Sequence, residues 1–245
     1  MVHPGAVVLI MGSGPNAVEA RNWPKACFDQ IVVINNAWRV RPDWDQLIFP
    51  EDFPLDRRPA SIGKTQRLVE ADAFVPAQNR HGGFVFAGAT MAFTAAYWAL
   101  VALRPRVMAF IGCDMVYAPQ GATHFYGTGA PDPLRADVSL RDLGAKSARL
   151  ALIARAQGCV CLNLSRDRSE LLFPRADLAD LSDTSAAVPF NIDGLRAQED
   201  ALGYATPTGR YDVSGASLDI AALDALDLAW RAAFEVVQLS EGTSS

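Results

Sequence analysis

Short apolar runs punctuate the chain at residues 7–11, 31–34, 47–49, 107–111 and 160–164, the last broken only by Asn163. Each is too short for a buried helix and lacks polar alternation, which is the pattern of strands covered on both faces. The segments between them read as helices at 16–23, stopped by Pro24, at 89–103, and at 143–157, where Leu150 and Ile153 share a face. Residues 84–86 read as one more strand. Residues 55–80 are polar and mixed, a long excursion with one helix, and 117–141 form a loop dense in Gly and Pro. Strands alternating with helices predict an α/β fold: a Rossmann-like, mostly parallel sheet with helices on both faces. Past residue 178 the composition changes. A polar linker and a turn-rich stretch lead to an amphipathic helix over 218–239, with apolar residues at 220, 223, 226, 230, 234 and 237, and then a polar tail. The expected organisation is a nucleotide-binding domain over 1–178 and an appendage over 179–245 that serves as a lid or an interface, including one between copies of the chain.

Composition changes this picture in three places. Residues 82–103 carry no charge over 22 positions, enough to span a bilayer. The stretch is rich in Gly, Ala and Thr and divides at a glycine, so a buried strand–turn–helix is expected instead. The start of the chain lacks a basic segment and its apolar run is six residues, so no secretory leader is expected. A net charge of −5 argues against nucleic acid as the partner. The four cysteines, at 27, 113, 159 and 161, match no zinc-ligand spacing and read as reduced core thiols, which fits a cytoplasmic protein.

Ligands of such sheets bind beyond the carboxyl ends of the strands. Every unusual loop leaves a predicted strand at that end: "GSGPN", "NNAW", "PEDFP", "AGAT" and "GCDMVY". Gly12 and Gly14, with Ser13 between them, permit positive φ and a close backbone approach by phosphate. The dinucleotide fingerprint would place an acid about 20 residues later; Asn35 and Asn36 stand there, which disfavours NAD and leaves a nucleotide read by amides. Gly88 and Thr90 open a helix, as a phosphate contact or a cap. Asp114 and Tyr117 sit at a strand exit, where the Asp suits a sugar hydroxyl, a base role, a metal, or local backbone amides. His124, Tyr126 and Asp132 share a glycine–proline loop, and His124 is the acid–base candidate by residue type. Lys146 and Arg149 read as a solvated helix face rather than a phosphate clamp. No GxSxG elbow, GxxxxGK[ST] loop or HExxH pair is present.

Taken in order, "GSGPN", "NNAW", "AGATM", "FIGCDMVY", "HFYG" and "ARLALIARAQGCVCLNLS" resemble the bacterial single-domain sialyltransferases that use CMP-sialic acid. The likeness covers about residues 6–175. It implies a Rossmann-like fold, sialyl-type transfer without a metal, and a cytidine nucleotide touched by Gly12, Ser13, Gly14, Asn36 and Gly88. Ser13 stands where the family tends to have asparagine. Tyrosines after the G-x-D strand hold the leaving phosphate; Tyr117 is the nearest counterpart, offset by one residue, with Tyr126 as a second. The family's "HYIGH", whose second histidine is the base, becomes "HFYGT" here, with Thr128 at that place. A threonine hydroxyl does not accept a proton near neutral pH as imidazole does, which leaves His124.

The glycine–proline start and G-x-D strand also look like the archaeal 6-hydroxymethylpterin diphosphokinases. That likeness implies ATP and magnesium, with Asp114 and Asp52 on the metal and Lys64 or Arg67 on phosphate. The first expectation is therefore a metal-independent, nucleotide-dependent transferase that moves a glycosyl group from a nucleotide-sugar to a small-molecule or glycan acceptor. Its alternatives are an ATP- and magnesium-dependent diphosphokinase of a small heterocyclic alcohol, and a non-catalytic nucleotide-binding or assembly protein, for which Thr128 is the best support.

Overall fold

A computed structural model of the chain describes residues 5–117, 121–129, 136–211 and 217–242. Asp132 lies outside the described residues. Six strands form one parallel sheet: β1 (Val7–Met11), β2 (Gln30–Ile34), β3 (Gln46–Ile48), β4 (Arg67–Val69), β5 (Val107–Ile111) and β6 (Val160–Asn163). Their order is β4-β3-β2-β1-β5-β6. The chain runs outward from β1 to β4, then returns to the other side of β1 to lay down β5 and β6. The order reverses between β1 and β5, and loops leaving neighbouring strands diverge there to open a crevice.

The α/β Rossmann-like fold is as expected, with a C-terminal helix. The apolar runs of β1, β2 and β5 are buried on both faces, as their lack of alternation requires. One face, with Val8, Ile10, Val32, Met108 and Phe110, is covered by α1 (Ala71–Asn79), α2 (Phe84–Ala87), α3 (Met91–Ala102), α4 (Leu143–Ala156) and the C-terminal helices α6 (Asp193–Leu202) and α7 (Ile220–Gly242). The other face, with Leu9, Met11, Ile31 and Val33, is covered by short 3-10 helices, Pro15–Asn22 and Asn35–Arg39 among them, and by the turn α5 (Asp180–Asp183). The helix expected over 16–23 is the first of these. Cys113, Cys159 and Cys161 are buried and Cys27 is half-buried, all as free thiols.

Three expectations are corrected. Residues 84–86 form one helical turn, not a strand. Gly83 (φ 84°) and Gly88 (φ 82°) bend the chain into and out of that turn, and a short apolar run fits a buried helix as well as a strand. The excursion over 55–80 holds α1 and also β4, the sheet edge. Lys146 and Arg149 are not a solvated face: they are 2% and 1% exposed.

Both cations are buried because the C-terminal helices bring partners to them. Lys146 Nζ donates to Asp227 of α7 at 2.7 Å. Arg149 donates from Nε and Nη2 to Glu199 of α6 at 2.6 and 2.7 Å, and from Nη1 to the Tyr97 hydroxyl at 2.6 Å. Glu199, also 1% exposed, further accepts from Trp230 Nε1 at 2.9 Å and from Arg196. Burial pushes the Tyr97 hydroxyl up to about 12, so it stays a neutral acceptor for Arg149. Among the described residues no helix is long and apolar enough to cross a membrane.

Removing one partner of a buried ion pair strands the other charge. Glu199→Ala is expected to cost about 3–5 kcal/mol in urea unfolding. Asp224→Ala, which breaks the exposed pair with Arg141 (2.7 Å), should cost far less, because solvent screens an exposed pair. Equal losses would refute this account of the network.

His81, beside the same network, gives a pH signature. Burial first, and then the Arg149 guanidinium, holds its pKa down at about 4 from an ordinary 6.5. The unfolded chain therefore takes up this proton at a higher pH than the folded one. The stabilisation is complete above about pH 6.5 and is lost as pH falls from there to about 4, up to about 3 kcal/mol. Unfolding free energies across that window should fall less steeply in His81→Leu than in the wild type.

Candidate functional site

The crevice at the switch point is a cleft of about 470 Å³, a size suited to a small-molecule ligand. Its floor is made by two loops in contact. After β1, the Gly12 N–H donates to the Ile111 carbonyl (2.9 Å) and the Gly14 N–H to the Gly112 carbonyl (2.8 Å). A Cβ on Gly12 would overlap the Gly112 carbonyl oxygen, and one on Gly14 would sit 2.8 Å from it. A Cβ on Gly112 would in turn meet Gly12 O at 2.7 Å and the Ala17 Cβ at 2.8 Å.

This corrects the expected use of the first glycines. Gly112 has positive φ (68°), whereas Gly12 and Gly14 do not. Their missing side chains admit the neighbouring loop, and their two amides are spent on it. Pro15 has no N–H to offer. Ser13 lines the cleft, with its hydroxyl donating to the Ile34 carbonyl at 3.2 Å.

One wall comes from the end of β2 and the segment after β3. Asn35 and Asn36 open a 3-10 turn and both line the cleft. Asn36 is 3% exposed, and the side-chain carbonyl oxygens of both residues are buried without a hydrogen-bond partner among the described residues. Buried polar atoms of this kind are rare unless something completes them. Asn35 also holds positive φ (52°), a conformation that asparagine tolerates better than most residues. Phe53 and Arg57 complete this wall. Phe53 belongs to the expected loop "PEDFP", whereas Arg57 was not expected, because "LDRR" carries no periodicity to point at a wall.

The opposite wall is Asp114 to Tyr117 with the hairpin over 121–129. Asp114, half-buried, accepts from Asn16 Nδ2 at 2.7 Å and from Asn163 Nδ2 at 3.4 Å. Asn16 Nδ2 also donates to the Ser165 hydroxyl (2.7 Å) and to Asp167 (3.0 Å), so this amide ties β1, β5 and β6 together behind the Asp. Met115, next along, has positive φ (55°). Strained residues on both walls of one cleft are the distribution found at functional sites.

The hairpin closes through paired backbone bonds between His124 and Gly127 (3.0 and 3.1 Å) and docks by Phe125 N–H on the Ser13 carbonyl (3.1 Å). His124 stacks on Tyr126, with ring centroids 5.0 Å apart, and faces Tyr117 at 6.3 Å. Its Nδ1 lies 2.9 Å from the Thr123 hydroxyl, which also accepts from the Gly129 N–H (2.9 Å). Thr128 lines the cleft with its hydroxyl donating to the Gly121 carbonyl (3.1 Å).

The cleft thus brings together Gly12, Ser13, Gly14, Asn35, Asn36, Thr90, Asp114, Tyr117, His124 and Tyr126. Gly88 does not line it. A Cβ there would strike the Phe93 ring at 2.8 Å, so this glycine serves packing and the exit from α2. Thr90 caps α3, accepting from the Phe93 N–H at 3.3 Å. Asp52, Lys64 and Arg67 lie outside the lining. Among the described residues no three His, Cys, Asp or Glu side chains converge as metal ligands. No protein-family model, curated protein or solved structure matches the chain. The function is therefore argued from these residues.

The interlocked glycines give a stability test. Gly112→Ala adds overpacking to a left-handed backbone and should cost about 2–4 kcal/mol. Gly158→Ala, also at positive φ (78°) but with nothing within 4 Å of the added Cβ, should cost only about 1 kcal/mol. Similar values in chemical denaturation would rule out the loop contact as the reason for glycine at 112.

Proposed function

We propose that the cleft binds a nucleotide and that the protein is a nucleotide-dependent transferase, moving a glycosyl group from a nucleotide-sugar to an acceptor hydroxyl. The observation that carries this is the Asn35–Asn36 wall: two amide residues at the end of β2 that line a cleft at the switch point and whose buried carbonyl oxygens have no partner among the described residues. A base edge with N–H donors completes such acceptors. The ordered likeness to CMP-sialic-acid-dependent sialyltransferases supports a cytidine base and a sialyl-like donor.

The opposite wall suits the chemistry. When Nδ1–H of His124 donates to Thr123, Nε2 is the basic nitrogen. The acceptor oxygen attacks the anomeric carbon, its proton passes to His124, and the bond to the nucleotide phosphate breaks. Asp114, fixed by Asn16, would orient a sugar hydroxyl. Tyr117 and Tyr126 flank the imidazole and would meet the leaving phosphate. No step in this scheme needs a metal. Thr128 in place of the family's histidine favours a second reading, a nucleotide-binding protein without turnover.

Thermal unfolding with CMP, UDP, GDP and ATP, each with and without magnesium, tests the proposal. At a hundred times Kd a ligand contributes about 2.7 kcal/mol, or a rise in Tm of roughly 5–10 °C for a chain of this size. Stabilisation by CMP without metal is the expected result. Stabilisation by ATP with magnesium alone would favour the diphosphokinase, and no response to any nucleotide would refute both. Donor hydrolysis that His124→Ala lowers by about 100-fold or more, with CMP binding retained, separates catalysis from binding alone.

A further inference from the structure

A phosphate in this cleft needs a positive charge, and the glycine loop, residues 12–16, carries none. The Gly12 and Gly14 amides are committed to β5 and its loop, and residue 15 is proline. The cleft also carries the Asp114 carboxylate, so a phosphate brings further negative charge into a partly desolvated space.

One residue meets the need. Among the described residues lining the cleft, Arg57 is the sole Lys or Arg. Its backbone is fixed: its N–H donates to the Pro54 carbonyl at 3.0 Å and its carbonyl accepts from Trp38 Nε1 at 3.0 Å. Trp38 belongs to the 3-10 turn that starts at Asn35, so Arg57 is tied to the amide wall. Its guanidinium makes no hydrogen bond or ion pair among the described residues. The adjacent Arg58 differs: it donates to the Phe53 carbonyl, lies 4.3 Å from the Phe49 ring centroid and pairs with Glu70 at 3.5 Å. Arg67 is spent on the Lys64 and Gln66 carbonyls, away from the cleft. Of these neighbouring arginines, one lines the crevice with an anchored backbone and a guanidinium that has no partner among the described residues.

We propose that Arg57 is the phosphate clamp of the cleft, holding the ligand's phosphate from the side of the Asn35–Asn36 wall, across from Tyr117 and Tyr126. The proposal rests on the nucleotide reading for the identity of that ligand. A planar guanidinium presents two parallel N–H donors to two phosphate oxygens, which an ammonium does not. The excursion between β3 and β4 thus supplies the charge that the glycine loop lacks.

Calorimetric titration of CMP, cytidine and inorganic pyrophosphate into wild type, Arg57→Ala and Arg57→Lys tests it. Arg57 is exposed, so both variants should keep the wild-type unfolding midpoint. The expected result is that wild type prefers CMP to cytidine. Arg57→Ala should weaken CMP by about 10- to 100-fold and leave cytidine unchanged, with Arg57→Lys in between. Equal affinities of wild type for CMP and cytidine would overturn the proposal. So would an Arg57→Ala affinity for CMP that matches wild type, or one that falls in step with cytidine. Should neither CMP nor cytidine bind wild type, the nucleotide reading fails and pyrophosphate decides the clamp. A tenfold or greater loss of pyrophosphate affinity in Arg57→Ala would uphold it, and no pyrophosphate binding to wild type would overturn it.

Discussion

The cleft exists because two loops touch without side chains between them. Gly12 and Gly14 lie against Gly112 closely enough that a methyl group on any of the three meets backbone. The contact joins β1 to β5 where the strand order reverses, so it fixes the floor on which both walls stand. It also determines what the first loop cannot do. Amides that hold the neighbouring loop are not offered to a ligand, and a phosphate bound here takes its counter-charge from elsewhere. A glycine-rich turn after the first strand of a parallel sheet has two physical uses, close approach of a ligand and close approach of another loop. At Gly12 and Gly14 the second applies.

The fold was legible where burial and hydrophobicity coincide. β1, β2, β5 and β6, and the helices α3, α4 and α7, announce themselves by apolar runs or periodicity because apolar side chains fill their buried positions. Where burial and hydrophobicity part, the sequence misleads. The one buried residue of α6 is Glu199, so the helix reads as a polar linker. Lys146 and Arg149 look like a solvated face because their partners, Asp227 and Glu199, come from more than 45 residues along the chain. β4 is an edge strand with Arg67 and Leu68 exposed, so it carries no pattern of its own. The turn at 84–87 has the apolar content of a strand and differs from one only in the left-handed glycines on either side.

The candidate site was legible for a different reason. Loops at the carboxyl ends of parallel strands must converge, so correct strand positions bring their exit residues together whatever the chemistry. Asn35, Asn36, Asp114 and His124 reach one cleft on that ground. Gly88 does not, because the element before it is helical and turns its exit toward Phe93 and Lys146. Arg57 was invisible because it arrives on an irregular excursion, whose path is set by bonds such as Trp38 Nε1 to the Arg57 carbonyl rather than by periodicity.

The two walls are attached to the core in different ways. The amide wall follows directly from β2 and is backed by Phe53, Phe49 and the Arg58 guanidinium, so its shape is set by the core. The hairpin with His124 is held to the sheet by the Phe125 N–H bond to Ser13 and by packing of the Phe125 ring against partly covered core. A ligand that bridges both walls would touch a surface set by the core on one side and the docked hairpin on the other. Such a division suits transfer chemistry. Donor recognition needs a preformed surface, whereas the proton acceptor must approach a second substrate that binds later and leaves changed.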